Sequence, residues 1–172
     1  MSESDILDLD ALRRDFDLSF ARPEAARKDE GVALLALGVA GEPYALRLED
    51  LAFLARAPET AFWGSGVSAF LGLAGLRGEV LPVWDLAGLL GRPGTDSKPA
   101  WVACSARVPR WAAAFERYDG LLRASLSEME PLAGEGVQAR CSREVLNRSG
   151  LRRPILDLEL LACSIRTIRE GR

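Results

Sequence analysis

Residues 70–91 read FLGLAGLRGEVLPVWDLAGLLG, and much of this stretch returns 72 positions later. Gly78 pairs with Gly150, Pro82 with Pro154, Val83 with Ile155, Asp85 with Asp157, Leu86 with Leu158 and Leu89 with Leu161. Six matches at one offset point to two similar units in one chain, although small β proteins also reuse such parts independently. Gly72 and Gly75 interrupt an apolar run, and Arg77-Gly78-Glu79 breaks it. The segment therefore predicts a glycine-bent strand, a turn and a second strand. Leu76 and Val80 are expected to anchor this hairpin inward while Arg77 reaches outward from the turn. Pro82 cannot donate to a ladder, which places the second strand near a sheet edge or a bulge. Asp85 is a good N-cap for a short helical turn over Leu86–Leu90, which Gly91 ends. In the second copy Pro154-Ile155-Leu156 forms the strand and Asp157 opens Leu158-Glu159-Leu160-Leu161.

Outside these two units the texture is also mainly β. Val32–Val39 and Pro43–Leu48 flank Ala40-Gly41-Glu42 as a hairpin. Trp101–Ala106 and Trp111–Phe115 make another pair, and Tyr118–Leu126, Val137–Cys141 and Arg153–Leu156 read as further strands. Helical character is expected for Leu48–Ala57, for a short Arg143–Asn147 and for Leu158–Ile168. Arg92–Pro99, with two prolines and a glycine, reads as a connection between halves. Many short strands with glycine and proline turns argue for small barrels over a parallel α/β sheet.

Residues 1–30 differ from the rest. Ile6, Leu9, Leu12, Phe16 and Phe20 recur at spacings of 3, 3, 4 and 4, the pattern of an amphipathic helix, with Ser4 as N-cap and Asp5 and Asp8 in the first turn. Arg22 to Glu30 then reads as a polar linker. A solvated leader with accidental periodicity is the competing reading.

At 172 residues the chain is long enough for one sizeable domain or two intimate subdomains, with no need of disulfides or metal. A hydrophobic content of 48% with 27% charged residues is ordinary for a globular protein, and a net charge of −3 gives no footprint for nucleic acid or an anionic membrane. The N-terminus lacks a basic region followed by an apolar core, and no run of about 18 apolar residues occurs. A cytoplasmic location without membrane insertion is the expectation. Cys104, Cys141 and Cys163 are widely spaced and suit buried, reduced thiols.

The chain contains no histidine. That removes the commonest general base, histidine phosphotransfer and every His-containing metal motif. No phosphate-cradling glycine loop is present. Glu128 and Glu130 are read as solvated acids, and the arginine clusters are too small and too surrounded by acids for DNA. The four tryptophans suit core or groove lining better than base stacking.

With VALLALGV, PYALRL, GLAGLRGEVLPVWDL, WAAAFERYDGLL and RRPILDLELL on the page, the chain resembles the CheW family of chemotaxis coupling proteins from about Val32 to Ile168. LRGEVLPVWDL is similar to that family's NLRGxxxPVxDL motif, the most specific element. The resemblance implies an all-β fold with short helices, built as two intertwined SH3-like five-stranded β-barrel subdomains over residues 31–170, with residues 1–30 as an N-terminal extension. It implies a non-enzymatic adaptor between the cytoplasmic tip of a chemoreceptor, a methyl-accepting chemotaxis protein, and the regulatory domain of a CheA-type histidine kinase. No cofactor and no metal would be needed, and the protein would be cytoplasmic and recruited to receptor arrays. The receptor- and kinase-binding residues expected on this basis are Arg77, Gly75, Leu76, Gly78, Leu51 and Phe53, with Leu9, Leu12 and Phe16 as a partner-docking face. Gly75 departs from the motif's asparagine, Phe53 stands where an acid is usual, and Glu116 replaces an aspartate. These departures mark a divergent member. A catalytic or ligand-sensing domain that has borrowed the fold is the alternative.

Overall fold

The computed structural model describes residues 31–62, 66–92, 98–132 and 140–170. Eleven strands are described: β1 Val32–Val39, β2 Glu42–Arg47, β3 Leu51–Arg56, β4 Phe70–Leu76, β5 Glu79–Asp85, β6 Trp101–Ser105, β7 Ala112–Phe115, β8 Arg117–Ala124, β9 Met129–Pro131, β10 Ser142–Arg148 and β11 Leu151–Leu156. Helix α1 spans Leu86–Leu89 and α2 spans Leu158–Glu170. The strands form a six-stranded sheet, β8-β1-β2-β11-β10-β9, and a five-stranded sheet, β3-β6-β7-β5-β4. The mainly β class holds. The two subdomains expected from the sequence appear as sheets of six and five strands, the sixth strand being β9 at the edge beyond β10.

The 72-residue offset is structural as well as textual. Strand β4 maps onto β10, β5 onto β11 and α1 onto the first turn of α2. Even the irregularities match: the β4–β5 register shifts between Phe70 and Gly72, the β10–β11 register between Ser142 and Glu144. Each hairpin turns through two consecutive positive φ angles, 49° and 83° at Arg77 and Gly78, 52° and 79° at Ser149 and Gly150, the geometry that suits the right-handed strand twist. Each second strand then takes a parallel neighbour, Val83 opposite Ala112 on β7 and Ile155 opposite Ala45 on β2. The β5–β7 ladder begins only at Val83, so Pro82 lies beyond it, as its missing N–H requires. Asp85 Oδ2 accepts from Gly88 N at 3.0 Å, and Asp157 Oδ1 accepts from Glu159 N and Leu160 N at 2.8 and 3.1 Å, so both N-caps are in place.

Gly72 is fixed by a close approach. Its φ is +130°, and a Cβ there would lie 2.4 Å from the carbonyl oxygen of Ala61, which bridges to Leu73. Gly72→Ala is expected to cost more than about 1 kcal/mol in denaturant unfolding. An unchanged midpoint would show that the Ala61 bridge yields freely.

The strand β1 is almost continuously apolar because both of its faces are buried. Leu35 and Leu37 join Tyr44, Leu46, Trp84, Leu86, Trp101, Phe115, Leu156 and Leu161 in a core shared by both sheets and both helices. Leu34 packs instead with Ala45, Leu146 and Ile155 inside the six-stranded sheet. A third cluster, with Phe53, Leu76, Leu81, Val83 and Val102, belongs to the five-stranded sheet. Since the largest cluster draws on both halves, equilibrium unfolding is expected as one cooperative transition, with tryptophan fluorescence and far-UV circular dichroism coinciding. Two resolved steps would contradict a shared core.

Four sequence expectations are corrected. Leu48–Ala57 is not helical: a 3-10 turn at Leu48–Asp50 leads into β3, where pairing with β6 overrides helix propensity. Arg143–Asn147 is the middle of β10, held between β9 and β11, with Val145 and Leu146 buried. Val80 points outward at 72% exposure, because its neighbour Leu81 takes the inward face. Cys104 and Cys141 are buried free thiols, but Cys163 is exposed on α2. The proposed Val137–Cys141 strand falls mostly outside the described residues, as does the N-terminal helix with Leu9, Leu12 and Phe16.

A candidate partner-binding surface

The two faces of the β4–β5 hairpin have different duties. Ala74, Leu76, Leu81 and Val83 face the cluster inside the five-stranded sheet. Phe70, Leu73, Pro82 and Trp84 face the other way, into a groove of about 720 Å³ between the hairpin, the loop Arg107–Arg110 and helix α2. Phe70 and Trp84 stack obliquely with ring centroids 4.9 Å apart. Trp111 and the α2 residues Leu158, Ala162 and Ile165 complete an apolar lining. Along the same hairpin face towards the turn, Gly75 pairs with Val80, and both are exposed. A Cβ at Gly75 would meet nothing within 4 Å. The absent asparagine therefore leaves a flat, open step on the surface.

Charges rim the groove. Arg107 Nη1 donates to Glu159 Oε1 at 2.5 Å, tying the β6–β7 loop to α2, and Arg110 Nη1 donates to Glu79 Oε1 at 3.0 Å. Asp50 also lines the wall, and burial, reinforced by Glu49, pushes its carboxyl above the ordinary range against the pull of Arg107.

The turn residues expected to bind partners lie next to this surface. Arg77 is exposed, and its guanidinium carbon stands 4.9 Å from the ring centroid of Phe53, a cation–π contact from the β4–β5 turn to β3 at the opposite end of the sheet order. Phe53 is 4% exposed and Leu76 7%, so both support the turn from below. Leu51 is half-buried at the start of β3, and Gly78 completes the turn. The structure thus brings Arg77, Gly75, Leu76, Gly78 and Phe53 together. It adds Val80 and the groove lining, which sequence reading missed. The signal was there: Val80, Pro82 and Trp84 alternate with Leu81 and Val83, a pattern of two usable faces.

Glu128 is more than a solvated acid. It completes a capping box with Ser125 and accepts from Arg148 Nε at 2.7 Å, so hydrogen bonds from Arg148 and the Ser125 amide lower its pKa to about 2.

The family model for the CheW-like domain matches residues 33–165. The chain belongs to the CheW-like family. Among solved structures, the CheW-like fold described here is similar to the scaffolding protein TtCheW from Thermoanaerobacter tengcongensis. That similarity has a TM-score of 0.68 at 14% identity, over 76% of this chain and 92% of that one. No curated protein matches the sequence. The CheW-like match and the shared fold support a scaffold or adaptor role in chemotaxis signalling. No described helix is long and apolar enough to cross a membrane.

Proposed function

We propose that this protein is a non-catalytic, cytoplasmic adaptor that couples the helical cytoplasmic tip of a methyl-accepting chemoreceptor to the regulatory domain of a CheA-type histidine kinase. Residues 31–170 form the CheW-like unit and residues 1–30 an extension to it. The observation that carries the reading is the family match across both repeat hairpins, from residue 33 to residue 165. The apolar groove supports it physically, since such a groove accepts the apolar face of an amphipathic helix. Arg77, on an exposed turn beside that groove face, supplies a cation and a flat donor fork, with Gly75, Gly78 and Leu51 as neighbours and Leu76 and Phe53 as its support.

The test is reconstitution. The full chain, a receptor-tip fragment and a kinase regulatory domain are mixed and resolved by gel filtration, and each pair is titrated calorimetrically. A ternary complex that requires this chain is the expected result. Failure to bind either component at about 100 μM would overturn the reading.

A further inference from the structure

The groove beside α2 is apolar, lies between the five-stranded sheet and helix α2, and has a chain segment of matching character close at hand. Leu34 pairs with Arg47 and Val32 with Ala124, so the chain enters β1 at the end of the six-stranded sheet where β2 runs into the turn Leu48–Asp50. Asp50 is itself a wall of the groove. The first thirty residues therefore join the domain a few residues from the groove's wall. A ten-residue linker, residues 21–30, reaches up to about 33 Å, and sixteen helical residues span about 24 Å.

Chemistry agrees with this placement. Residues 1–20 carry six acids, Glu3, Asp5, Asp8, Asp10, Asp15 and Asp17, against Arg13 and Arg14, while the remainder of the chain has one more base than acid. The groove's lining carries Arg107, Arg110 and Arg166 against Asp50 and Glu159, a net charge of +1, and Arg166 has no ion-pair partner among the described residues. The stripe Leu9, Leu12 and Phe16 needs burial if it is to be helical, since a short helix is marginal alone.

We infer that the groove's resident occupant is this chain's own N-terminal segment: residues 5–20 dock as an amphipathic helix against α2 and the β4–β5 hairpin and must be displaced before an outside helix can enter. The inference goes beyond the adaptor reading and does not depend on which partner that is.

Cys163 lines the groove and is exposed, while Cys104 and Cys141 are buried, which gives a direct test in the full-length chain. Leu12→Cys, under mild copper-catalysed oxidation at low micromolar concentration, should form an intrachain disulfide with Cys163 at least tenfold faster than Ala11→Cys, whose side chain lies on the opposite helical face. Hydrogen exchange should show protection of α2 and β5 in the unmodified chain, lost when Leu9, Leu12 and Phe16 are all replaced by aspartate. Equal rates for the two cysteine variants, or unaltered protection in the triple variant, would overturn the proposal. A disulfide formed only between two chains would assign the groove to a second copy and would overturn it too. No receptor or kinase enters either measurement, so failure of the adaptor reading leaves this result interpretable.

Discussion

Arg77→Ala is expected to bind a chemoreceptor tip about thirtyfold more weakly than the unaltered protein while melting at nearly the same temperature. A hot-spot arginine costs over about 2 kcal/mol on truncation, which is the thirtyfold. The stability side is small for two reasons read from the turn. Alanine and arginine meet the φ of 49° with the same Cβ, so the backbone strain is unchanged. The lost contact is one cation–π pair between the exposed Arg77 and the buried ring of Phe53, roughly 0.5–1 kcal/mol. Arg77→Lys separates charge from shape: it keeps the cation but loses the planar fork, and it should recover only part of the affinity. Calorimetric titration with differential scanning calorimetry measures both quantities. An alanine variant with full affinity, or one that unfolds, would remove Arg77 from the binding surface.

The largest stability effect is expected from Leu161→Ala. Leu161 is 0% exposed and belongs to the core shared by both sheets, so its truncation leaves a cavity between them. Comparable buried leucines cost about 2–5 kcal/mol, against a total of roughly 5–15 kcal/mol for an ordinary domain. The loss should appear as a lower denaturant midpoint in a transition that remains single. Thr167→Ala, an exposed position on the same helix, should change stability by no more than about 0.5 kcal/mol. A Leu161 variant that unfolds in two steps would mean that α2 stabilises the six-stranded sheet alone.

Much of this architecture was legible because the decisive constraints were local. Gly78 and Gly150 had to turn, Asp85 and Asp157 had to cap, and Pro82 had to stay clear of the β7 ladder; all five conclusions rest on single-residue chemistry. The misses were non-local. Phe70–Leu76 and Ser142–Arg148 occupy equivalent strands but share no identical residue in register, so the repeat fell silent at β10 and its polar sequence read as helix. Leu48–Ala57 failed likewise, since only its pairing with β6 makes β3 a strand. At the site, motif resemblance reached Arg77 and its neighbours. The groove was invisible because α2, the β6–β7 loop and the hairpin meet only in three dimensions.

The sheet order has a consequence for how the chain is made. Strands β1 and β2 belong to the six-stranded sheet, but their other neighbours there, β8 and β11, come after the whole of the five-stranded sheet has been translated. Roughly seventy residues separate Arg47 from β8 and roughly a hundred separate it from Leu151, so on the ribosome the β1 edge waits about 4–14 s and the β2 edge about 5–20 s for a partner. The later sheet, whose five strands are consecutive, can close first. The earliest-synthesised hairpin is thus among the last to be sealed, and β1 and β2 are where holdase chaperones would meet the nascent chain.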